Sequence, residues 1–164
     1  MTDLVVTRWG ARYGRASFPC AIGRRGIGHK LREGDEITPA GIYPVLAMKM
    51  FARADRIDPR AASPTHPRDI WSDDPADPLY NSAIRPGDPS RHPWSHERLW
   101  RADPLYDLVI DIGYDGGPGG GSAIFLHVWR KPRHPTAGCV AFRRDHLRWL
   151  AAQLGPPDRL VIQP

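Results

Sequence analysis

Short apolar runs separated by turn-forming residues recur along the whole chain. The clearest runs are residues 4–9, 18–23, 42–51, 105–114, 122–128 and 159–163. They are rich in β-branched and aromatic residues, and glycine or proline clusters lie between them, a pattern typical of β-strands joined by tight turns. Residues 105–114 and 122–128 are separated by a glycine-rich segment, so we expect them to pair as a hairpin. The pattern predicts a mostly-β fold.

One segment near the C-terminus has helical periodicity instead. Its apolar residues recur at spacings of three and four, and they are Leu147, Leu150, Ala151 and Leu154. This spacing predicts one α-helix over residues 145–154, with Asp145 as its N-cap and the Gly-Pro-Pro after Leu154 as its end. We expect the apolar face of the helix to pack on the sheet.

The longest stretch without a regular pattern is residues 52–101. It is dense in Asp, Pro, Ser and Arg, a composition typical of disordered segments. Large apolar residues recur within it, however, and a solvated linker would not carry them. We therefore predict a long ordered insertion that forms one wall of a substrate cleft, with Tyr80 and Trp94 as candidate contacts and a short helical turn at 96–101.

Chain length and composition agree with one β-rich domain. The 164 residues are enough to bury an independent core, so we interpret 1–164 as a single domain. The chain contains 18 prolines and 16 glycines, which favours many short strands and ordered loops over a helical bundle. No apolar run is long enough to span a bilayer, and the N-terminus shows no export signal.

Charge and histidine placement exclude several binding functions. The net charge is +5, but the basic residues are scattered and match no zinc-finger or RNA-recognition motif, so we expect no nucleic-acid partner. The spacing of His66, His92 and His96 fits no standard zinc site. We therefore predict no metal and no cofactor.

The candidate chemistry lies between residues 122 and 142. His127 ends one apolar run, a charged and proline-broken loop follows, and Cys139 opens the next run. If the two runs are adjacent strands, the imidazole can take the proton of the thiol, which then becomes a nucleophile at neutral pH. Gly138 has no Cβ, so the backbone N–H groups of Gly138 and Cys139 can approach a substrate and stabilise an oxyanion.

The alternative for any single cysteine is inert packing in the core. We interpret Cys20 in this way, because it lies within the apolar run 18–23. Cys139 differs, since Thr-Ala-Gly immediately before it is turn chemistry that exposes a side chain. The context therefore favours a functional role for Cys139.

Two sequence blocks resemble the L,D-transpeptidase catalytic domain of the YkuD type. The first is Phe125-Leu-His127 followed by Thr136-Ala-Gly138-Cys139-Val, and the second is Thr38-Pro39-Ala-Gly41-Ile-Tyr43. In that family a histidine ends one strand and a Ser/Thr-x-Gly-Cys block opens the next, while a T-P-x-G-x-Y/F turn precedes a core strand. The blocks stand in the family order, and the resemblance spans about residues 4–163. It implies a β-sandwich or barrel-like sheet with one C-terminal helix.

The chain departs from the family pattern beside the cysteine. Ala137 and Ala141 stand where many members have histidine and asparagine or arginine, and the interval between His127 and Cys139 is shorter than in many members. These positions shape the acyl pocket in the family, so the usual substrate register is in question. His134 is either a replacement for the missing imidazole or a solvated loop histidine.

The resemblance implies a peptidoglycan L,D-transpeptidase. Cys139 would attack an amide carbonyl next to an L-centre of a donor stem peptide, with His127 as base and the Val128 carbonyl orienting it. The side-chain amine of diaminopimelate on an acceptor stem would then resolve the thioester into a 3-3 or 1-3 cross-link. Candidate binding residues for the stem peptide are Thr136, His134, Arg130 and Arg133. The substrate implies action in the periplasm or cell wall, by a monomer.

Two other functions fit the same residues. Water could take the same thioester, which would make the protein an L,D-carboxypeptidase or endopeptidase. A non-catalytic module could instead bind the cell wall, or a polyanion such as nucleic acid, through its basic surface. The products formed from stem peptides distinguish these functions.

Overall fold

The computed structural model of the protein describes residues 1–57 and 62–164, so residues 58–61 of the predicted insertion lie outside the described residues. Its strands, in chain order, are β1 (Asp3–Thr7), β2 (Gly10–Tyr13), β3 (Ala16–Phe18), β4 (Cys20–Ala21), β5 (Ile27–Gly28), β6 (Thr38–Pro39), β7 (Gly41–Pro44), β8 (Lys49–Ala52), β9 (Ser63–Pro64), β10 (Ile70–Ser72), β11 (Ser82–Ile84), β12 (His96–Arg98), β13 (Leu108–Asp111), β14 (Phe125–Val128), β15 (Val140–Phe142) and β16 (Arg159–Ile162). The helical elements are α1 (Arg144–Gln153) and the 3-10 turns Val45–Ala47, Pro89–Arg91 and Pro104–Tyr106. The prediction of a mostly-β fold with one C-terminal α-helix is confirmed for these ranges.

Two large sheets build the main core. One has five strands in the order β3-β2-β1-β16-β7, and the other has six in the order β4-β15-β14-β13-β8-β9. Leu4 and Leu160 from the first sheet and Leu126 and Phe142 from the second are fully buried in the same hydrophobic cluster. The two sheets therefore share one core, as in a sandwich.

The α-helix covers the six-stranded sheet. It packs on β13 and β14, and Leu147 and Leu150 are fully buried, as the apolar spacing predicts. The expectation that Asp145 is the N-cap is wrong: Arg143 takes that position without a side-chain cap bond. The Asp145 carboxylate accepts hydrogen bonds from the Arg143 guanidinium within the first turn, where the helix dipole favours an anion.

No helix in the ranges given above has the length and apolar character needed to cross a membrane.

Several apolar runs that the sequence predicts as single strands change sheets. Residues 42–51 form β7 in one sheet and β8 in the other, joined by a 3-10 turn, and residues 18–23 divide in the same way between β3 and β4. Both halves of each run face the shared core, so the apolar pattern continues across the break. Pro44 and Pro19 lie at the breaks, because proline cannot donate to a strand ladder.

The described part of the insertion is structured and has its own sheet. Strands β10, β11 and β12 form a three-stranded sheet, so the expected helical turn at 96–101 is wrong and part of it is β12. The ring of Trp71 packs edge-on against Phe125, with ring centroids 4.9 Å apart. Tyr106, in the turn just after the insertion, packs against the same ring at 5.9 Å.

Both faces of strand β14 are therefore covered. Leu126 and Val128 join the main core, whereas Phe125 packs with the insertion in a second cluster that also contains Cys139. All four residues of β14 are buried. His127 alternates with Leu126 and Val128, so it faces the insertion.

Leu150→Ala should lower the free energy of unfolding by about 3 kcal/mol, because it leaves a cavity under the helix. Urea denaturation followed by circular dichroism measures the change. Arg148→Ala, an exposed position on the same helix, is the control and should change it by less than about 0.5 kcal/mol. Equal losses in both variants would contradict this packing of the helix.

Candidate active site

Parallel pairing of β14 with β15 brings His127 and Cys139 to the same face of the sheet. The register aligns His127 with Ala141, and Cys139 lies two residues before Ala141. Residues two apart on a strand share a face, so the thiol and the imidazole both face the insertion. Both side chains line a cavity of about 610 Å³.

His127 is held in one orientation and kept neutral. Its Nδ1 lies 2.8 Å from the carbonyl oxygen of Val128, so Nδ1 carries the hydrogen and Nε2 is left as the acceptor. The Tyr106 ring packs edge-on against the imidazole, with ring centroids 5.5 Å apart. Burial lowers the pKa of His127 to about 4. The ring therefore has a free lone pair at neutral pH.

The Cys139 thiol is protonated at rest. Its Sγ donates to the Ala123 carbonyl at 3.1 Å and accepts from the Phe125 N–H at 3.4 Å. Among the hydrogen bonds of the described residues, none joins Sγ to His127. Burial raises the pKa of Cys139 to about 12, and the negative charge of Glu97 adds to the shift. The thiolate that the sequence suggests at neutral pH is thus not the resting state, because desolvation disfavours both charged forms.

The carbonyl that holds the thiol lies in a strained segment. Ala123 has a φ of 52°, in the left-handed region that side chains other than glycine rarely adopt. Its N–H donates to Asn81 Oδ1 at 3.2 Å, and Asn81 Nδ2 donates to the Tyr114 carbonyl at 2.8 Å. Asn81 of the insertion therefore fixes the backbone beside the thiol through these hydrogen bonds. Backbone strain of this kind is common at functional sites.

Gly138 is required by both conformation and space. Its φ is 148°, and a Cβ there would lie 3.0 Å from the Ile37 carbonyl oxygen and 3.3 Å from Ile124 Cδ1. The Gly138 N–H donates to Thr136 Oγ1 at 3.1 Å, and Thr136 Oγ1 donates to the Cys139 carbonyl at 2.6 Å. The N–H predicted to bind an oxyanion is thus engaged within its own turn at rest.

The structure brings together only some of the predicted binding residues. Arg130, His134 and Thr136 line the cavity that contains Cys139 and His127. Arg133 does not: its guanidinium contacts the Trp9 carbonyl at 3.5 Å and lines a separate groove. Arg133 also has a φ of 56°, in the left-handed region that side chains other than glycine rarely adopt.

The two aromatic candidates of the insertion also lie outside this cavity. Trp94 packs against the His92 ring at 5.5 Å and is not part of the cavity lining. Tyr80 donates its hydroxyl to Glu33 and accepts from the Gly121 N–H at 3.1 Å. Tyr80 therefore binds Glu33 and, among the described residues, none that lines this cavity.

Glu97 and Tyr106 are site residues that the sequence analysis missed. The Tyr106 hydroxyl donates to Glu97 Oε2. Burial raises the pKa of Glu97 and also that of Tyr106. Glu97 was missed because a helical turn was expected at 96–101. Its position in the site depends instead on the pairing of β12 with β10.

A second cavity, of about 300 Å³, also reaches Cys139 and Glu97. Lys30 lines it and forms a buried ion pair with Asp35, with Nζ 2.6 Å from Oδ1 and 2% and 3% of the two side chains exposed. A Cβ at Gly121 would lie 2.2 Å from Lys30 Cε, so this glycine makes room for the lysine. Lys30 and backbone N–H groups, such as that of Ile37, hold the pKa of Asp35 below its usual range, although burial alone would raise it.

Within residues 1–57 and 62–164, no group of three or more His, Cys, Asp or Glu side chains could hold a metal ion. His92 instead lies 3.0 Å from the buried Asp77 carboxylate, and His96 Nδ1 contacts the Trp94 carbonyl at 2.9 Å. The cysteines Cys20 and Cys139 are both free, and Cys20 is buried.

A profile of the L,D-transpeptidase catalytic domain (YkuD) matches residues 4–162. Among solved structures, an L,D-transpeptidase from Mycobacterium smegmatis is similar, with 12% sequence identity and a TM-score of 0.47. The similarity covers 99% of this chain and 58% of that protein. A search of curated proteins found no match.

We expect iodoacetamide to alkylate Cys139 slowly at neutral pH, with a rate that rises through about pH 10 without a plateau, because burial holds the pKa of the thiol at about 12. Mass spectrometry of the peptide that contains Cys139 measures the alkylation rate at this residue separately from alkylation of Cys20. A plateau below about pH 8 would indicate a thiolate–imidazolium pair and would contradict the neutral resting state.

Lys30→Met should lower the free energy of unfolding by about 3 kcal/mol at neutral pH, since it leaves the Asp35 carboxylate buried without its cation. The pKa of Asp35 is lower in the folded than in the unfolded protein, so the ionised carboxylate stabilises the folded state. This stabilisation is fully present above the unfolded pKa and is lost as the pH falls towards the folded pKa. The deficit of the variant should therefore shrink in acid. Urea denaturation at neutral pH and at about pH 3 tests this, with the exposed Lys131→Met as control.

Proposed function

The chain belongs to the L,D-transpeptidase catalytic domain family, and on this basis we propose that it is a peptidoglycan L,D-transpeptidase acting through a thioester at Cys139. The observation that carries the proposal is the position of His127 and Cys139 on one face of a sheet, lining one cavity. Since peptidoglycan lies in the cell wall, we propose that the protein acts in the periplasm or cell wall.

Acylation begins when the amide carbonyl next to an L-centre of the donor stem peptide reaches Cys139. The sulfur leaves the Ala123 carbonyl, and Nε2 of His127 takes the thiol proton. Because both groups are neutral at rest, proton transfer accompanies the attack on the carbonyl. The Val128 carbonyl, 2.8 Å from Nδ1, stabilises the imidazolium that forms. The imidazolium then protonates the leaving amine, and the thioester remains.

The oxyanion of the tetrahedral intermediate is bound by the backbone N–H groups of Gly138 and Cys139. For Gly138 this requires an exchange, because its N–H donates to Thr136 Oγ1 at rest. A charged oxyanion is a stronger acceptor than a hydroxyl, so it can displace that bond. Thr136 keeps its own bond to the Cys139 carbonyl and holds the turn in place.

The cavity of about 610 Å³ suits the carboxylates of a stem peptide. Its basic lining residues are Arg24, Arg98, Arg101 and Arg130. Arginine binds carboxylates through two parallel hydrogen bonds, and two of these arginines already pair with acidic side chains, Arg24 with Glu36 and Arg101 with Asp103. We assign Arg130, with His134 and Thr136 beside it, to the donor stem.

The thioester is resolved by the side-chain amine of diaminopimelate on an acceptor stem. The product is a 3-3 cross-link if the donor bond that breaks follows diaminopimelate. It is a 1-3 cross-link if the donor bond that breaks follows L-Ala, since the new bond then joins L-Ala to diaminopimelate. Ala137 and Ala141 line the donor cavity, and their small side chains leave room beside the nucleophile for either register.

Incubation with purified monomeric muropeptides should give cross-linked dimers and a covalent adduct at Cys139, both measured by mass spectrometry. Cys139→Ala should give neither. His127→Ala should lower the rate of adduct formation at least about 100-fold, the usual contribution of a general base. Fragment masses of the dimers distinguish 3-3 from 1-3 linkage.

Circular dichroism and urea denaturation should first show that both variants are folded. Dimers from Cys139→Ala would overturn the proposal. Shortened monomers without dimers would assign the protein as a hydrolase. Muropeptide binding without an adduct or product would leave a non-catalytic binding module.

A further inference from the structure

A third cavity, of about 460 Å³, lies where β8 begins and β13 ends, and its described lining does not include Cys139. Three aromatic residues line it, Trp71, Tyr80 and Tyr114, and we call it the aromatic cavity. The Trp71 indole N–H donates to Asn81, and the hydroxyls of Tyr80 and Tyr114 donate to other oxygen atoms of the protein. Since these donors are engaged, the three residues offer a ligand mainly their ring surfaces.

A buried carboxylate lies in the same lining. Asp111 is 8% exposed, and its Oδ1 accepts from the Gly113 N–H at 2.9 Å. Lys49 lies opposite Asp111 in the register of β8 and β13, yet within the described residues no hydrogen bond or ion pair reaches Oδ2. Burial raises the pKa of Asp111, although the Gly113 N–H and the charge of Lys49 oppose this shift. One oxygen of a buried carboxylate is therefore left for a ligand that donates hydrogen bonds.

The charges of the aromatic cavity favour a cation. Its described lining contains two carboxylates, Asp111 and Asp115, and one basic side chain, Lys49. The faces of aromatic rings also attract cations, because they carry partial negative charge. A volume of about 460 Å³ lies within the range of ordinary small-molecule sites, in which apolar surface surrounds a few polar groups. Rings around a carboxylate suit an organic cation with an apolar body.

Asn81 connects the aromatic cavity with the thiol. It lines the cavity, and it bonds to two other lining residues through the Trp71 indole N–H and the Tyr114 carbonyl. Its Oδ1 also accepts from the N–H of Ala123, at 3.2 Å. The carbonyl of Ala123 in turn accepts from the Cys139 thiol, at 3.1 Å. A ligand that packs against Trp71 and Tyr114 therefore restricts the residue that fixes the backbone beside the thiol.

We propose that the aromatic cavity is a ligand site separate from the active site, and that it binds a small organic cation between its rings and the Asp111 carboxylate. The bound cation holds Asn81 against Ala123 and so keeps the Cys139 thiol in its resting position. The two sites are thus coupled, although the cation does not touch the thiol. This inference goes beyond the proposed function and does not depend on it, because neither ligand binding nor thiol alkylation requires a cell-wall substrate.

Three probes of similar shape test the charge preference. At neutral pH benzamidine is a cation, benzamide is uncharged and benzoate is an anion. An NMR titration follows the backbone amide of Gly113 and the indole N–H of Trp71. Benzamidine should shift both signals and bind about tenfold or more tightly than benzamide, as expected for a charged hydrogen bond, and benzoate should bind most weakly. Benzamide that binds as tightly as benzamidine would overturn the proposal.

Two substitutions in the lining should change benzamidine binding in opposite directions. Asp111→Asn keeps an oxygen for the Gly113 N–H but removes the charge, so binding should weaken about tenfold or more. Lys49→Met removes a competing positive charge, so binding should tighten. Asp145→Asn, at an exposed position of the helix outside the lining, is the control and should bind as the unsubstituted protein does.

Urea denaturation checks that the three variants are folded. Unchanged binding in Asp111→Asn, equal losses in the two aspartate variants, or weaker binding in Lys49→Met would each overturn the site.

The coupling is measured by alkylation of Cys139 with iodoacetamide, followed by mass spectrometry of its peptide. Saturating benzamidine should slow alkylation about fivefold or more, a typical size for coupling between two sites. Benzamide at the same concentration should leave the rate unchanged, as should benzamidine added to Asp111→Asn. Bound benzamidine that does not slow alkylation, or equal slowing in Asp111→Asn, would overturn the coupling. If these results hold but muropeptides give no adduct at Cys139, the proposed function alone is refuted.

Discussion

Parallel pairing of β14 with β15 is the interaction on which the candidate active site depends. The register sets His127 opposite Ala141 and so places Cys139 on the face of the sheet that meets the insertion. Side chains alternate along a strand, so a slip of one residue would send the thiol into the main core. The helix and the five-stranded sheet cover the other face of this sheet. The insertion therefore covers the face that carries His127 and Cys139.

Burial orients His127 and Cys139 for reaction but also disfavours the charged form of each. The same close packing that orients the His127 ring beneath Tyr106 also removes water from the ring and from the thiol. The pKa of the imidazole falls and that of the thiol rises, so both are neutral at rest. Charge therefore develops only during the reaction, where preorganised backbone groups can stabilise it.

The two cavities that share Cys139 have linings of different charge. Arginines line the larger cavity and Glu33 and Asp73 line the smaller one, while Glu97 lines both. Ligands of opposite charge would therefore be attracted to different cavities beside the same sulfur atom.

Local sequence pattern determined the strand-rich fold, the buried face of the helix at Leu150, and the pair His127 and Cys139, because periodicity and turn chemistry are properties of neighbouring residues. It could not decide where one strand ended and the next sheet began within 42–51, since both halves face the same core. Nor could it separate Arg130, which lines the cavity, from Arg133, which lies elsewhere. Glu97, the acidic cavity and the neutral resting state arise only when distant segments pack together, because burial and long-range pairing set which groups meet and which lose their water.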